Sequence, residues 1–230
     1  MPSLGVCRGR AGMKVFFKNN GLSLVVGSLF LFALAGQAVV GWRQDLEVRR
    51  RENGPPVSFS GYLQSAEFGE AVFENWESEF LQMGVYVMLT VFLFQKGSSE
   101  SKDPEDNAAM DRAPNPGRKE VPWPVKCGGW PLKVYQHSLS LAFLLLFLLC
   151  FIGHWIAGAK AYNTEISRAG ESPISIFEYG GTPQFWFESL QNWESEFLAV
   201  FSIVVLSIWL REKGSPESKP VDAPHVSTGK

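Results

Sequence analysis

The chain has 230 residues, with 21 basic and 23 acidic side chains and a formal net charge of -2, a balance that gives no electrostatic footprint for a nucleic-acid partner. Its mean hydropathy is close to zero, so bulk composition does not decide between a soluble and a membrane protein. The distribution of charge decides far more. Charged residues are nearly absent from 22–41, 80–95, 138–158 and 197–210, and nearly all of them lie between these stretches.

In chain order, residues 1–12 (MPSLGVCRGRAG) carry no apolar core and are expected to be disordered or a mis-called start. Met13 opens MKVFFKNNGLSLVVGSLFLF, a natural beginning for a first membrane span at about 20–41. A cleaved signal peptide is the rival for 13–41, disfavoured by the length of the run and by its counterpart deep inside the chain. Further spans are expected at about 76–95, 137–158 and 193–211. The first and third are long enough to cross about 30 Å of hydrocarbon at about 1.5 Å per residue. The second and fourth reach that length only if their helices begin near Asn75 and Asn192. A soluble bundle is the alternative, but LSLAFLLLFLLCFIGHWIAG is apolar all round and has no face to offer water. Most Lys and Arg fall in the head, the central linker and the tail, so both termini and the linker are expected in the cytoplasm, although Arg49, Arg50 and Arg51 run against that bias. Cys7, Cys127 and Cys150 make no disulfide framework, no metal-type Cys or His spacing exists, and no cofactor is expected.

The heptapeptide NWESEFL stands at 75–81 and again at 192–198, an offset of 117 residues. The same offset places Gly36 and Gly41 on Gly153 and Gly158, Pro56 on Pro173, Tyr62 on Tyr179, Phe68 on Phe185, and KGSSESK (96–102) on KGSPESK (213–219). The chain reads as a tandem duplication of helix, outside loop and helix. Each unit holds two spans, so both copies enter the bilayer from the same side. The expected fold is an all-α integral membrane four-helix bundle, made of two parallel two-helix repeats with pseudo-two-fold symmetry along the membrane normal. The first repeat covers 13–102 and the second 133–219. A Pro- and charge-rich cytoplasmic linker occupies 103–132, and a disordered tail 220–230.

Four spans, two copies of N-W-x-S-E-F and this overall length resemble a group of bacterial membrane proteins defined only as a domain of unknown function. The resemblance runs from about Met13 to Lys219. It implies a bacterial integral membrane protein without assigned activity, and it carries over no catalytic residue.

The repeated motif has two readings. As a helix start, Asn75 and Asn192 would cap the first turn, Glu77, Glu79, Glu194 and Glu196 would sit at the positive end of the helix dipole, and Trp76 and Trp193 would anchor in the headgroup zone. Lys96–Gly97 and Lys213–Gly214 have the order of a helix end. As a site, residues two apart on a helix differ by about 200° in direction, so Glu77 and Glu79 cannot both face a bundle axis. One acid from each half, such as Glu79 and Glu196, would then meet across the pseudo-two-fold axis as a cation or proton site. Gln37 and His154 occupy equivalent positions in the two copies and are candidates for a polar cavity, or for ordinary interfacial side chains. In the outside loops, Phe185, Trp186 and Phe187 suit a membrane-surface segment.

No Ser/His/Asp order, phosphate-cradling glycine loop, HExxH or nucleotide fingerprint is present, so an enzyme is the weakest class. The leading expectation is a non-enzymatic accessory or envelope-associated factor of the bacterial inner membrane. Its partners would be the lipid bilayer and an unknown membrane protein or a second copy of itself, with no nucleic acid. The runner-up is a small transporter or a cation- or proton-binding channel using the NWESEF carboxylates.

Overall fold

The structure is a computed structural model that describes the backbone of residues 4–103 and 109–229, with side chains from residue 15 onward. Among the described residues it is helical, without a strand. The chain divides into two compact units, Met1–Phe68 and Gly69–Lys230. That division does not fall in the linker. The second helix of the first repeat belongs, from Gly69 on, with the helices of the second repeat.

The first unit holds α1 (Leu4–Arg51) and the short α2 (Phe59–Leu63). No proline interrupts α1, and its last turn carries Arg49, Arg50 and Arg51, where cations meet the negative end of the helix dipole. Arg49 also pairs with Asp45 one turn earlier, Nε to Oδ2 at 2.8 Å. The helix stops where Asn53 takes a positive φ of 56° and Gly54 N–H returns to the Arg49 carbonyl, with Pro55 and Pro56 unable to continue it. Residues 1–3 lie outside the described residues; from Leu4 the head expected to be disordered or a mis-called start is part of α1.

The second unit holds most of α3 (Ala66–Phe92), then α4 (Trp123–Cys127), α5 (Gly129–Gln136), α6 (Ser138–Arg168), α7 (Ile176–Tyr179) and α8 (Pro183–Leu206). The linker is therefore partly helical from Trp123 on, while its residues 104–108 lie outside the described residues. Two helices are long and apolar enough to cross a membrane, Val15–Arg51 within α1 and Ser138–Arg168. Both turn large apolar side chains outward: Leu22 is 79 % exposed and Leu145 59 %.

The expected starts of the second and fourth helices are corrected. α3 begins at Ala66 and α8 at Pro183, each about nine residues before the asparagine of the motif. Asn75 and Asn192 are mid-helix, and their side-chain amides donate back to the Ala71 and Glu188 carbonyls. The caps are elsewhere. Ser65 Oγ accepts from Phe68 N–H at 3.2 Å, and Thr182 Oγ1 accepts from Phe185 N–H at 3.3 Å with Pro183 at the first helical position. The helix ends are also earlier than Lys96 and Lys213, at Phe92 and Leu206. Gly97 and Gly214 mark turns beyond them, with φ of 86° and 88° that a side chain would strain.

The two copies repeat one another in local detail. Ser58 caps α2 and Ser175 caps α7, the latter in a full capping box with Glu178. A tyrosine in the last turn of each short helix covers a glycine of the long helix before it: a Cβ on Gly41 would lie 2.2 Å from Tyr62 Oη, and one on Gly158 2.5 Å from Tyr179 Oη. The capped turn is what holds each tyrosine in place. Ser175→Ala should therefore cost about 1 kcal/mol, read as a lower unfolding midpoint in detergent, with Ser58→Ala matching it.

The core of the second unit is aromatic. Tyr179 and Phe185 are fully buried against Ala159, with Phe151, Trp155 and Tyr162 around them. Phe185, expected as a lipid anchor, is thus a core residue, whereas Trp186 and Phe187 stay exposed. The tail expected to be disordered is tied down through residue 229. Lys219, 2 % exposed, donates to the carbonyls of Gly97, Pro224, His225 and Ser227, and Gly229 N–H donates to Ser98 O. An ammonium ringed by carbonyl oxygens satisfies three or more acceptors at once, which is why a charge can be buried there without a carboxylate.

Candidate functional site

Within the second unit, α3, α6, α7 and α8 bring polar side chains together around His154. Glu70, Glu74 and Glu77 lie four and three residues apart, so they form one stripe along α3. α6 supplies His154, α7 ends in Tyr179, and Gln184, Glu188 and Asn192 form a second stripe on α8, with Ser189 beside it.

His154 and Glu77 are both 0 % exposed. Histidine Nδ1 faces Glu77 Oε2 at 3.1 Å, and Nε2 faces Glu188 Oε2 at 3.4 Å. Ser189 donates its hydroxyl to Glu77 Oε1 at 2.8 Å, so both oxygens of the buried carboxylate are engaged. Tyr179 points its hydroxyl between two acids, 3.1 Å from Glu188 Oε2 and 3.4 Å from Glu70 Oε1. Gln184 donates to Glu188 Oε1 at 2.9 Å, and Asn192 donates to Glu74 Oε1. Phe185 covers the imidazole, with ring centroids 5.0 Å apart.

The charge balance is one-sided. Four carboxylates surround one imidazole, and among the described residues none of the four pairs with a Lys or Arg. Charge collected in a poorly hydrated place must be neutralised by protons or by a cation. Outside the apolar part of α3, burial first and the Glu188 carboxylate second push Glu70 up to about 7. Burial also pushes the Tyr179 phenol up, with Glu188 and Glu70 adding to it, so the hydroxyl remains a donor. Burial works upward on Glu188 as well, but the hydrogen bonds from His154, Gln184 and Tyr179 outweigh it and hold that carboxyl below its ordinary value. One ligand atom from each of Glu70, His154 and Glu188 lies within 4.8 Å of the others, the spacing of groups able to share one ion.

Of the residues expected from sequence, the structure brings Glu77, His154 and Asn192 into this cluster. The rule that only one of Glu77 and Glu79 faces inward holds, but the inward acid is Glu77, and Glu79 is exposed. In the second copy Glu194 is exposed and Glu196 half-buried, its carbonyl accepting from Gln82 Nε2 at 2.8 Å. Gln37 is exposed on α1, so the polar side chain at the equivalent position of the first copy is not buried as His154 is. Trp76 and Trp193 pack on Phe73 and Phe147 in edge contacts, and Asn75 is exposed. Glu70, Glu74, Tyr179, Glu188 and Ser189 were not singled out by sequence. The signal for the first two was the i, i+4, i+7 run of acids, legible only once α3 is known to start before them.

One helical turn beyond Glu77, at Phe80, begins a pocket of about 990 Å³ between α3 and α6. Val85, Met88, Leu141 and Leu144 line its apolar part, and Lys102 and His137 lie at its polar end.

No curated protein and no solved structure matches the chain. A family described as a domain of unknown function (DUF6766) matches residues 13–230, beginning at Met13 and taking in both repeats, the linker, the tail and every residue of the His154 cluster. On that match over nearly its whole length, the chain belongs to the DUF6766 family.

Proposed function

We propose that the protein is a small transporter or channel of the bacterial inner membrane that binds a cation or a proton at the His154 cluster. It crosses the bilayer four times as two parallel two-helix repeats about a pseudo-two-fold axis, with both termini cytoplasmic. The excess of Lys and Arg in the head, linker and tail supports that orientation. The matched caps, the tyrosine-on-glycine contacts and the paired positive-φ glycines support the repeat. In this arrangement the cluster lies near the outer surface and the pocket beside α3 opens on the cytoplasmic side. The reading is non-enzymatic, since the cluster offers ligands and proton carriers rather than an activated nucleophile.

One observation carries the proposal: a fully buried histidine held between two carboxylates in a helix otherwise apolar enough to span a membrane. Ionisable groups in such a place are costly and mark ion or proton pathways far more often than packing. The cluster moves transport ahead of the accessory role, for which an outer rim with exposed Trp186 and Phe187 remains the supporting feature. Reconstituted in liposomes carrying a pH dye or a cation dye, the protein is expected to dissipate a gradient, and His154→Gln to slow it at least about tenfold, about 1.4 kcal/mol in barrier. Absence of flux across protons and the common mono- and divalent cations, together with a partner recovered by mild crosslinking, would return the accessory reading to first place.

A further inference from the structure

We propose that Glu70, His154 and Glu188 are the protein ligands of one divalent first-row transition-metal ion, of the zinc class. This rests on the reading of the cluster as a cation site and names the cation.

The hydrogen bonding of the imidazole is the first argument. Glu77 is buried, fixed by Ser189 and aimed at Nδ1, so Nδ1–H donates to it. A metal-ligating histidine characteristically gives its other N–H to a carboxylate, which sets the tautomer and aims the free nitrogen. Here the other nitrogen is Nε2, and it faces Glu188 Oε2, an electron-pair donor. Something positive must lie between them: in the metal-free protein a proton on Nε2, donated to Glu188, and in the metal-bound protein the ion that takes its place.

Distance is the second. Ligand bonds of about 2.0–2.1 Å in a tetrahedral site set ligand atoms about 3.3 Å apart. The Nε2 to Oε2 separation is 3.4 Å, and the third ligand atom, from Glu70, keeps the set within 4.8 Å. Glu70 is lightly engaged, its one hydrogen bond among the described residues being the 3.4 Å contact from Tyr179. It therefore has lone pairs to give. Three protein ligands leave a fourth position for a water molecule.

Donor type is the third argument. One imidazole and two carboxylates without sulfur suit zinc or its first-row neighbours. Calcium takes six to eight oxygens, and magnesium retains most of its water, so three convergent groups including a nitrogen serve both poorly. Tyr179 and Glu77 act as positioning residues: the phenol holds the two acids in register, and Glu77 fixes the ring. Sequence spacing gave no metal signal because the ligands come from three helices, at 70, 154 and 188.

The test uses full-length untagged protein in detergent, stripped with chelator and titrated with zinc chloride by calorimetry, with manganese, magnesium and calcium as comparators. Expected are one zinc per chain, no comparable binding of magnesium or calcium, and at least about tenfold weaker zinc binding in Glu70→Gln and Glu188→Gln. Glu77→Gln is expected to weaken it about 10–100-fold through the ring's orientation. Glu79→Gln should bind as the unaltered protein does. Cobalt(II) added to the unaltered protein should give the intense visible bands of a four-coordinate ion, a readout that needs no variant to fold. A weak octahedral cobalt spectrum, no stoichiometric zinc, or zinc binding indifferent to Glu70→Gln would each overturn the assignment. Gradient dissipation that depends on His154 without zinc binding would remove the metal and leave the transport reading standing. Stoichiometric zinc without flux would do the reverse.

Discussion

In metal-free protein, His154→Leu is expected to destabilise the fold by about 3–5 kcal/mol, the cost of removing one partner from a buried charged pair. The size follows from what is left behind. Glu77 is 0 % exposed, and without the imidazole its Oε2 loses its donor and retains only the Ser189 hydroxyl on Oε1. Glu188 keeps Gln184 and Tyr179, so its loss is smaller. Leucine fills roughly the volume of the ring beside Phe185, which keeps the cavity contribution low and makes the measurement one of electrostatics. The check is a double-mutant cycle with Glu77→Leu, followed by reversible unfolding in mixed micelles. If the pair is what holds the two residues there, the double variant costs several kcal/mol less than the two single costs added, because an apolar pair needs no partner. Additive costs, or a single-variant cost below about 1 kcal/mol, would show that His154 is a spectator in an apolar wall.

That experiment turns on a contact between residues 77 apart, which explains what could and could not be read from sequence. Apolar runs and the 117-residue offset are local or self-referential patterns, so the long helices and the duplication were legible. The pairing of Glu77 with His154 depends on how α3 and α6 are rotated against one another, and no periodicity within either helix states that. The helix starts failed for a more specific reason. Asn75 is a good cap only where the preceding residues leave the helix, and nothing in AEFGEAVFE breaks one, so the chain is already helical when it reaches the motif. For α8 the true start was written in plain chemistry, Thr182 before Pro183, a cap followed by a residue pre-set for the first turn. That pair sets the start of the fourth helix nine residues before Asn192 and places Glu188 on it, one turn from Asn192. The burial of Lys219 is the opposite case: a lysine in a polar tail gives no sign that backbone carbonyls will gather round it.

The second large effect is steric and separates two glycines, one from each of the repeated pairs 36/41 and 153/158. Gly158→Val is expected to cost about 3 kcal/mol and to weaken whatever the cluster binds, whereas Gly36→Val should be neutral within about 0.5 kcal/mol. A Cβ at 158 would stand 2.5 Å from Tyr179 Oη, 2.9 Å from its Cε1 and 3.0 Å from Glu70 Oε1, while one at 36 meets nothing within 4 Å. Glycine at 158 is thus a space requirement rather than a conformational one, since the residue lies inside α6. The ring cannot retreat without cost, because Phe185, Tyr162 and Ala159 close the space behind it. Any retreat also lifts the phenol away from Glu70 and Glu188, which couples packing on the short helix to the charged centre. Tyr179→Phe removes the atom nearest the new side chain, so Gly158→Val should cost less in that background than alone, the deviation from additivity measuring the contact. The variant pair is read by unfolding midpoint and by zinc titration together. A Gly158→Val protein that melts earlier yet binds as before would confine the glycine to packing; one that loses both would show that the tyrosine, held down by a capped turn in each repeat, is the part of the duplicated unit that the second copy has put to use.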